Sequence, residues 1–129
     1  GQDFSAYLKF CLEQNAQWVI LAGFLKKIPI DLLEAFPNRI INIHPALLPN
    51  YGGAGMYGKK VHAAVAEAQE SFSGITIHLV NEEFDKGKML FQHAVRLPEK
   101  ASPEQIENAV RALELAHFAP DLETYLSSN

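Results

Sequence analysis

The chain has 129 residues, of which 48% are hydrophobic and 20% charged, the composition of one globular domain of ordinary size. Its net charge of −4 and the lack of a concentrated basic surface argue against nucleic-acid binding. No apolar run is long enough to cross a bilayer and no signal peptide is recognisable, so we expect no membrane partner.

The single cysteine, Cys11, excludes an internal disulfide and fits a reducing compartment, so we predict a cytoplasmic location. Cys11 has no neighbour at metal-ligand spacing, and we interpret it as a small buried apolar residue. We therefore predict no metal site.

The first third of the chain alternates predicted helices and strands. Apolar residues over 4–12 recur at helical spacing, and residues 18–22 are apolar on both faces, as in a central parallel strand. A short helix is predicted over residues 31–36, capped by Asp31. This order predicts a right-handed βαβ unit, whose parallel strands end at the same edge of the sheet.

The functional hypothesis centres on the strand that follows. Asn42 and His44 would share one face of that strand, while Ile41 and Ile43 would share the other. Pro45 would end the pairing, so an amide and an imidazole would project side by side where α/β sheets bind ligands. From these residues alone, a capping or core role for His44 stays open.

A loop rich in proline and glycine follows over residues 47–57, but it lacks the spacing of a phosphate-binding motif. An alanine-rich helix is predicted over residues 61–70, with Val61, Val65 and Ala68 on its inner face. We interpret His62, near the start of this helix, as structural.

Strands are predicted over residues 75–80 and 89–97, the second near an edge of the sheet. In the first of them, His78 is either a satisfied sheet residue or the wall of a site. The loop between them, residues 81–87, is rich in carboxylates. Asp85 differs from the other acids because a tight bend before Gly87 would turn it inward.

Ser102 and Gln105 form a predicted capping box, with Pro103 in the first helical position. The helix is predicted to end at Pro120, leaving a short tail over residues 121–129. Glu114 and His117 of this helix are either part of a polar surface stripe or ligands of a neighbouring site.

An asparagine beside a histidine, facing an aspartate from a nearby loop, suits acyl transfer to an amine without a protein nucleophile. Asn42 and a cationic His44 would hydrogen-bond the tetrahedral oxyanion. Asp85 would raise the pKa of His44 and take the proton from the attacking amine, directly or through water. No serine or cysteine lies in a nucleophile elbow, so we expect no covalent intermediate.

The runs VILAGFLKKI, INIHPALLPNYGGAGMYG and SGITIHLVNEEFDKGKMLFQ together resemble the folate-dependent formyltransferases, most of all the branch that formylates glycinamide ribonucleotide in purine biosynthesis. The resemblance implies an α/β fold with a partly parallel sheet and helices on both faces. It implies one catalytic and folate-binding part over residues 1–129, with 10-formyltetrahydrofolate as co-substrate, glycinamide ribonucleotide as acceptor and no metal.

By motif position, the resemblance makes His44 the catalytic acid, Asn42 its amide partner and Asp85 the carboxylate that tunes the histidine. The residues that it implies for the folate are Leu25, Lys26, Lys27, Ile28, Asn42, Asn81, Glu82, Glu83, Phe84 and Asp85. Those that it implies for the ribonucleotide are Arg111, Ala112, Leu113 and Glu114.

The start of the chain departs from that family. Its members begin with a strand and a loop that binds the substrate phosphate, and neither is recognisable here. We therefore expect the N-terminal, Rossmann-type half of the fold to be missing, and a partner that supplies it to complete the sheet.

Alternatives remain within and outside the family. A methionyl-tRNA formyltransferase is expected to carry a basic loop after LLP, where this chain has NYGGAGMYG. A formyltetrahydrofolate hydrolase typically has a second histidine where this chain has Pro45. A non-catalytic binding or scaffold module is the alternative from another class, and folate binding would distinguish it.

Overall fold

The computed structural model describes residues 17–22, 30–53, 55–81 and 87–128. The strands are β1 (Val19–Ala22), β2 (Ile40–His44), β3 (Phe72–Leu79) and β4 (Met89–Arg96), and the helices are α1 (Ile30–Ala35), α2 (Lys59–Glu67) and α3 (Pro103–Ser127). The helix predicted over residues 4–12, and Cys11 with it, lies outside this part of the chain.

The described strands form one four-stranded sheet in the order β1-β2-β3-β4. β1 and β2 are parallel, whereas β2 pairs with β3, and β3 with β4, in antiparallel fashion. The predicted parallel unit is thus confirmed, and so is the position of β4 at an edge of the described sheet.

The alternation of side chains along β2 divides the hydrophobic core into two layers. Ile41 and Ile43 belong to the larger cluster, which they share with residues of α2 and α3. Ile40 points the other way and packs with Leu32 and Phe36, at the helix α1 side. Helices therefore cover both faces, as predicted, and Asn42 and His44 share the α1 face with Ile40 because alternate residues of a strand lie on one face.

Three predicted boundaries are wrong by a few residues. Helix α1 begins at Ile30, so Asp31 lies in its first turn, where its Oδ1 accepts a hydrogen bond from the Leu32 amide at 3.0 Å. Helix α2 ends at Glu67, and Ala68 is exposed rather than on the inner face; the chain then turns at Gln69, which has a positive φ of 54°. Strand β3 begins at Phe72 because that residue pairs with Arg96 of β4.

The prediction that Pro120 ends the last helix is also wrong, since α3 continues to Ser127. The predicted capping box at its start is present, with Ser102 Oγ accepting from the Gln105 amide at 3.1 Å. A proline inside a helix costs about 3 kcal/mol. Side chains beyond it, Leu122, Tyr125 and Leu126, pack against the larger core and offset that cost.

A pair of histidines, one on β4 and one on α3, also stabilises the last part of α3. His93 Nε2 donates to Asp121 Oδ2 at 2.6 Å, and the ring of His117 stacks on the ring of His93 with centroids 3.7 Å apart. None of the helices in the described ranges is both long enough and apolar enough to span a membrane.

Candidate functional site

The candidate site is built on β2, one of the two inner strands of the described sheet. Every residue of β2 is buried. Asn42 is 8% exposed to solvent and His44 is 4% exposed. In the antiparallel register, Asn42 lies opposite His78 and His44 lies opposite Thr76. Four polar side chains of the two inner strands, all of them buried, therefore lie on one face of the sheet.

The Asn42 amide is oriented by the imidazole of His78. His78 Nδ1 lies 3.1 Å from the carbonyl oxygen of Leu79, which can only accept, so Nδ1 carries the hydrogen. Nε2 of the neutral ring is then an acceptor, and Asn42 Nδ2 donates to it over a long 3.4 Å. His78, left open by the sequence, thus contacts a predicted site residue directly.

This orientation leaves the side-chain oxygen of Asn42 buried without a hydrogen-bond partner among the described residues. An unpaired buried acceptor costs about 1–3 kcal/mol, and such groups are rare in native structures. A group that is kept unpaired beside a histidine fits a ligand-binding position.

The ring of His44 is held by the loop that follows β2. Its Nε2 donates to the carbonyl oxygen of Tyr51 at 2.7 Å, a contact that places a hydrogen on Nε2. Tyr51 has a positive φ of 58°, so the chain turns sharply there to bring its carbonyl back to the strand end.

Thr76 and Gln92 fix the first part of the same loop. Thr76 Oγ1 donates to the carbonyl of Ala46 at 2.7 Å and accepts from the amide of Leu48 at 3.1 Å. Gln92 Nε2 reaches the carbonyl of Leu48 at 2.9 Å and Thr76 Oγ1 at 3.1 Å. Side chains from β3 and β4 thereby hold the loop that in turn holds His44.

A cavity of about 210 Å³ opens on the other face, at the end of β2. Ile43 and Pro45, the residues on either side of His44, line it, and so do Arg111 and Glu114 from α3. The predicted ribonucleotide stretch therefore contributes these two side chains to the cavity. Its other members point elsewhere: Ala112 is exposed, and Leu113 packs against the larger core.

Arg111 and Glu107 form an ion pair one helical turn apart, with Arg111 Nη2 3.2 Å from Glu107 Oε1. Their side chains are 61% and 29% exposed, so the pair contributes little to stability. It does hold a guanidinium and a carboxylate beside the cavity.

The remaining predicted folate residues are placed only in part. Asn81 is exposed at the end of β3. Leu25, Lys26, Lys27 and Ile28, together with Glu82, Glu83, Phe84 and Asp85, lie outside the described residues. The pairing of Asp85 with His44 therefore stays a prediction.

Sequence reasoning missed Thr76, Gln92 and the Tyr51 carbonyl. Thr76 alternates with His78 in ITIH, and that alternation predicts a shared face but not the strand opposite. Gln92 lies close to Thr76 and the loop only because of the β3–β4 register, and no local sequence pattern encodes that register.

No group of three or more histidine, cysteine, aspartate and glutamate side chains is arranged to hold a metal ion in the described part of the chain.

A mixed sheet with helices on both faces defines an α/β protein, and the buried asparagine and histidine at the end of β2 mark the candidate ligand site. The chain matches the formyl transferase family over residues 3–120, and it belongs to that family.

Two curated relatives carry a more specific name. Phosphoribosylglycinamide formyltransferase, chloroplastic, of Arabidopsis thaliana is 56% identical over 96 residues, which are 74% of this chain and 33% of the relative. Phosphoribosylglycinamide formyltransferase of Bacillus subtilis is 35% identical over 132 residues, covering 99% of this chain and 65% of the relative. The chain thus spans less than two thirds of either relative.

Solved structures agree on the fold. Phosphoribosylglycinamide formyltransferase from Bacillus halodurans superposes with a TM-score of 0.86 at 29% identity, covering 95% of this chain and 61% of that structure. A formyltetrahydrofolate deformylase from Pseudomonas syringae superposes with a TM-score of 0.85 at 26% identity, covering 97% of this chain and 40% of that structure. The fold is therefore shared by proteins named for two different reactions of formyl groups.

Proposed function

We propose that this protein transfers a formyl group from 10-formyltetrahydrofolate to the amine of glycinamide ribonucleotide, a step of purine biosynthesis. The observation that carries the proposal is the pair on β2: Asn42, whose buried oxygen has no partner in the described ranges, and His44 two residues on along the same face. The names of the relatives support the acceptor. Residues 1–129 would form one catalytic and folate-binding part.

In this proposal Asn42 and His44 stabilise the charge that develops on the formyl oxygen. Asn42 uses one Nδ2 hydrogen for His78 and has a second hydrogen to donate. His44 carries a hydrogen on Nε2, which would turn from the Tyr51 carbonyl toward the oxyanion. The unpaired Asn42 Oδ1 is an acceptor for the N–H of the attacking amine.

10-Formyltetrahydrofolate supplies an activated formyl group, and the chain's own residues bind and orient it. Asn42 and Asn81, with the segments 25–28 and 82–85, would hold the folate. Asp85 would keep His44 cationic and accept the proton of the amine, and His44, as the acid, would donate a proton to the folate nitrogen that leaves when the tetrahedral intermediate collapses. On the other face, Arg111 and Glu114 border the cavity in which we place the ribonucleotide, with Ala112 and Leu113 in the same stretch.

The direct test is a formyl-transfer assay in which the absorbance change of folate product formation is followed with and without glycinamide ribonucleotide. The chain is assayed alone and with the N-terminal part of the Bacillus subtilis relative added. Acceptor-dependent product formation in either mixture supports the proposal. Folate binding without turnover in both mixtures would leave a binding module as the function.

A deformylase is the second candidate, favoured by the superposition on the Pseudomonas syringae structure. Pro45 directly after His44 argues against it, since the hydrolases typically have a second histidine there. Release of free formate at the same rate with and without the acceptor would identify the hydrolase. A tRNA formyltransferase would instead require methionyl-tRNA as the acceptor in the same assay.

We also propose an aqueous, reducing compartment for this reaction. The cytoplasmic location stays a prediction, and the Arabidopsis thaliana relative is named chloroplastic. Imaging of a tagged full-length protein would distinguish these compartments.

A further inference from the structure

His62 is a buried histidine to which the proposed function gives no role. It lies on the inner side of α2 between Val61 and Val65, and is 5% exposed. Its Nδ1 is enclosed and has no hydrogen-bond partner within the part of the chain that the structure describes. A structural histidine is normally satisfied, and an unpaired buried nitrogen is the exception that calls for an explanation.

His62 also lies between two cavities. It borders the cavity of about 210 Å³ that also contains Pro45, Arg111 and Glu114, and a second cavity of about 450 Å³ toward the start of α3. His62 lines both cavities, and because its Nδ1 is enclosed, Nε2 is the ring nitrogen that remains for a ligand there. The imidazole therefore forms a wall that a ligand in the smaller cavity would touch.

The enclosure of Nδ1 also decides which nitrogen carries the hydrogen. An unpaired buried N–H group is rarer in proteins than an under-satisfied acceptor, so the hydrogen belongs on Nε2. Burial lowers the pKa of His62, Glu107 opposes this shift, and Arg111 and His44 add to it. His62 thus presents a neutral N–H donor to the cavity.

We propose that His62 donates a hydrogen bond from Nε2 to an oxygen atom of the formyl-accepting substrate, an inference that rests on the proposed acceptor function. The smaller cavity is the place for it because Pro45, on its wall, directly follows His44. His62 then fixes the acceptor from the α2 side while Arg111 and Glu114 border it from α3. It is a binding residue and takes no part in the proton transfers.

Three substitutions separate this role from simple packing. His62→Leu fills the space without a donor, His62→Gln places an amide N–H near the position of Nε2, and His62→Asn has an amide that is too short to reach it. If His62 only packs, leucine is the best replacement. If it donates to the substrate, glutamine is.

The experiment titrates the protein with glycinamide ribonucleotide, without folate, by isothermal calorimetry. We expect His62→Leu and His62→Asn to weaken binding about tenfold, the loss of one hydrogen bond, and His62→Gln to stay within about threefold of the wild type. His93→Leu, which removes a histidine outside both cavities, serves as the matched control with unchanged affinity. Unchanged binding by His62→Leu, or equal losses for leucine and glutamine, would overturn the proposal.

A measurement on the unsubstituted protein covers the case in which a variant does not fold. In nitrogen-15 NMR spectra, the Nε2 signal of His62 should shift and its hydrogen should exchange more slowly when glycinamide ribonucleotide is added. A signal that does not respond to saturating ribonucleotide rejects the contact. Binding with these effects but without formyl transfer would reject the proposed function and keep the role of His62, and no binding at all would reject both.

Discussion

Asn42 on β2 and His78 on β3 face one another across an antiparallel pair, with Asn42 Nδ2 3.4 Å from His78 Nε2. The Leu79 carbonyl fixes the hydrogen of His78 on Nδ1, so the imidazole in turn decides which end of the Asn42 amide is left for a ligand. A backbone carbonyl on one strand thus orients a candidate catalytic side chain on the next.

This relationship predicts that His78 is a positioning residue. His78→Phe removes the acceptor for Asn42 Nδ2, so the amide rotates and the turnover number of formyl transfer falls by about tenfold, the value of one misplaced hydrogen bond. His78→Gln places an oxygen near Nε2 and should restore most of the rate. Equal losses in the two variants, measured as kcat with saturating substrates, would show that only packing matters.

His44→Ala should lower formyl transfer by about 10²–10⁴-fold, because the proposed proton donor is lost. The fold should be intact, since the core residues of the same strand, Ile40, Ile41 and Ile43, are unchanged. Circular dichroism and thermal unfolding check the fold, and His93→Ala controls for the removal of a histidine. Turnover near that of the wild type would reject the role of His44.

Asp85→Asn should lower the pKa of His44 and strongly reduce the rate, because a neutral amide no longer favours the imidazolium. The pKa is measured by following the His44 ring signals in an NMR titration. A titration curve identical to that of the wild type would contradict the pairing of Asp85 with His44.

Thr76→Val should destabilise the fold and slow catalysis together. Valine keeps the shape of threonine but leaves the Leu48 amide and the Ala46 carbonyl without their partner, at about 1–3 kcal/mol for each buried group. The free energy of unfolding in urea measures the first effect. Thr76→Ser keeps the hydroxyl, and its stability and rate should stay close to those of the wild type.

His62 should make stability depend on pH. Its pKa is lowered in the fold, chiefly by burial, whereas in the unfolded chain it has the ordinary value of 6.5. The unfolded state therefore binds more protons once the pH falls below 6.5, so this contribution is present above that pH and is lost as the pH falls toward the lowered pKa. Unfolding free energies of wild type and His62→Gln, compared above and below pH 6.5, should diverge only on the acid side. A parallel decline of the two would exclude the contribution of His62.

Patterns that are local in the chain predicted the fold and the site best. The shared face of Asn42 and His44 follows from the two-residue repeat of a strand, and the capping box depends on residues three apart. The extension of α3 past Pro120 could not be predicted, because contacts with β4 and the core outweigh the local penalty of the proline. Thr76 and Gln92 form hydrogen bonds with the loop after β2 because the register of β3 and β4 brings them to it. That register is a property of the assembled sheet.

The side chains of the five residues of β2 point alternately to the two faces of the sheet. The residues of one face cannot take the place of those on the other. A slip of β2 by one residue against its neighbours would turn Asn42 and His44 into the aliphatic layer and bring isoleucines to the chemical face. Single-residue insertions or deletions in this strand should consequently be lethal to activity and folding at once, while length changes in the surface loops should be far better tolerated. A register error in β2 would therefore disrupt the core and the candidate site together.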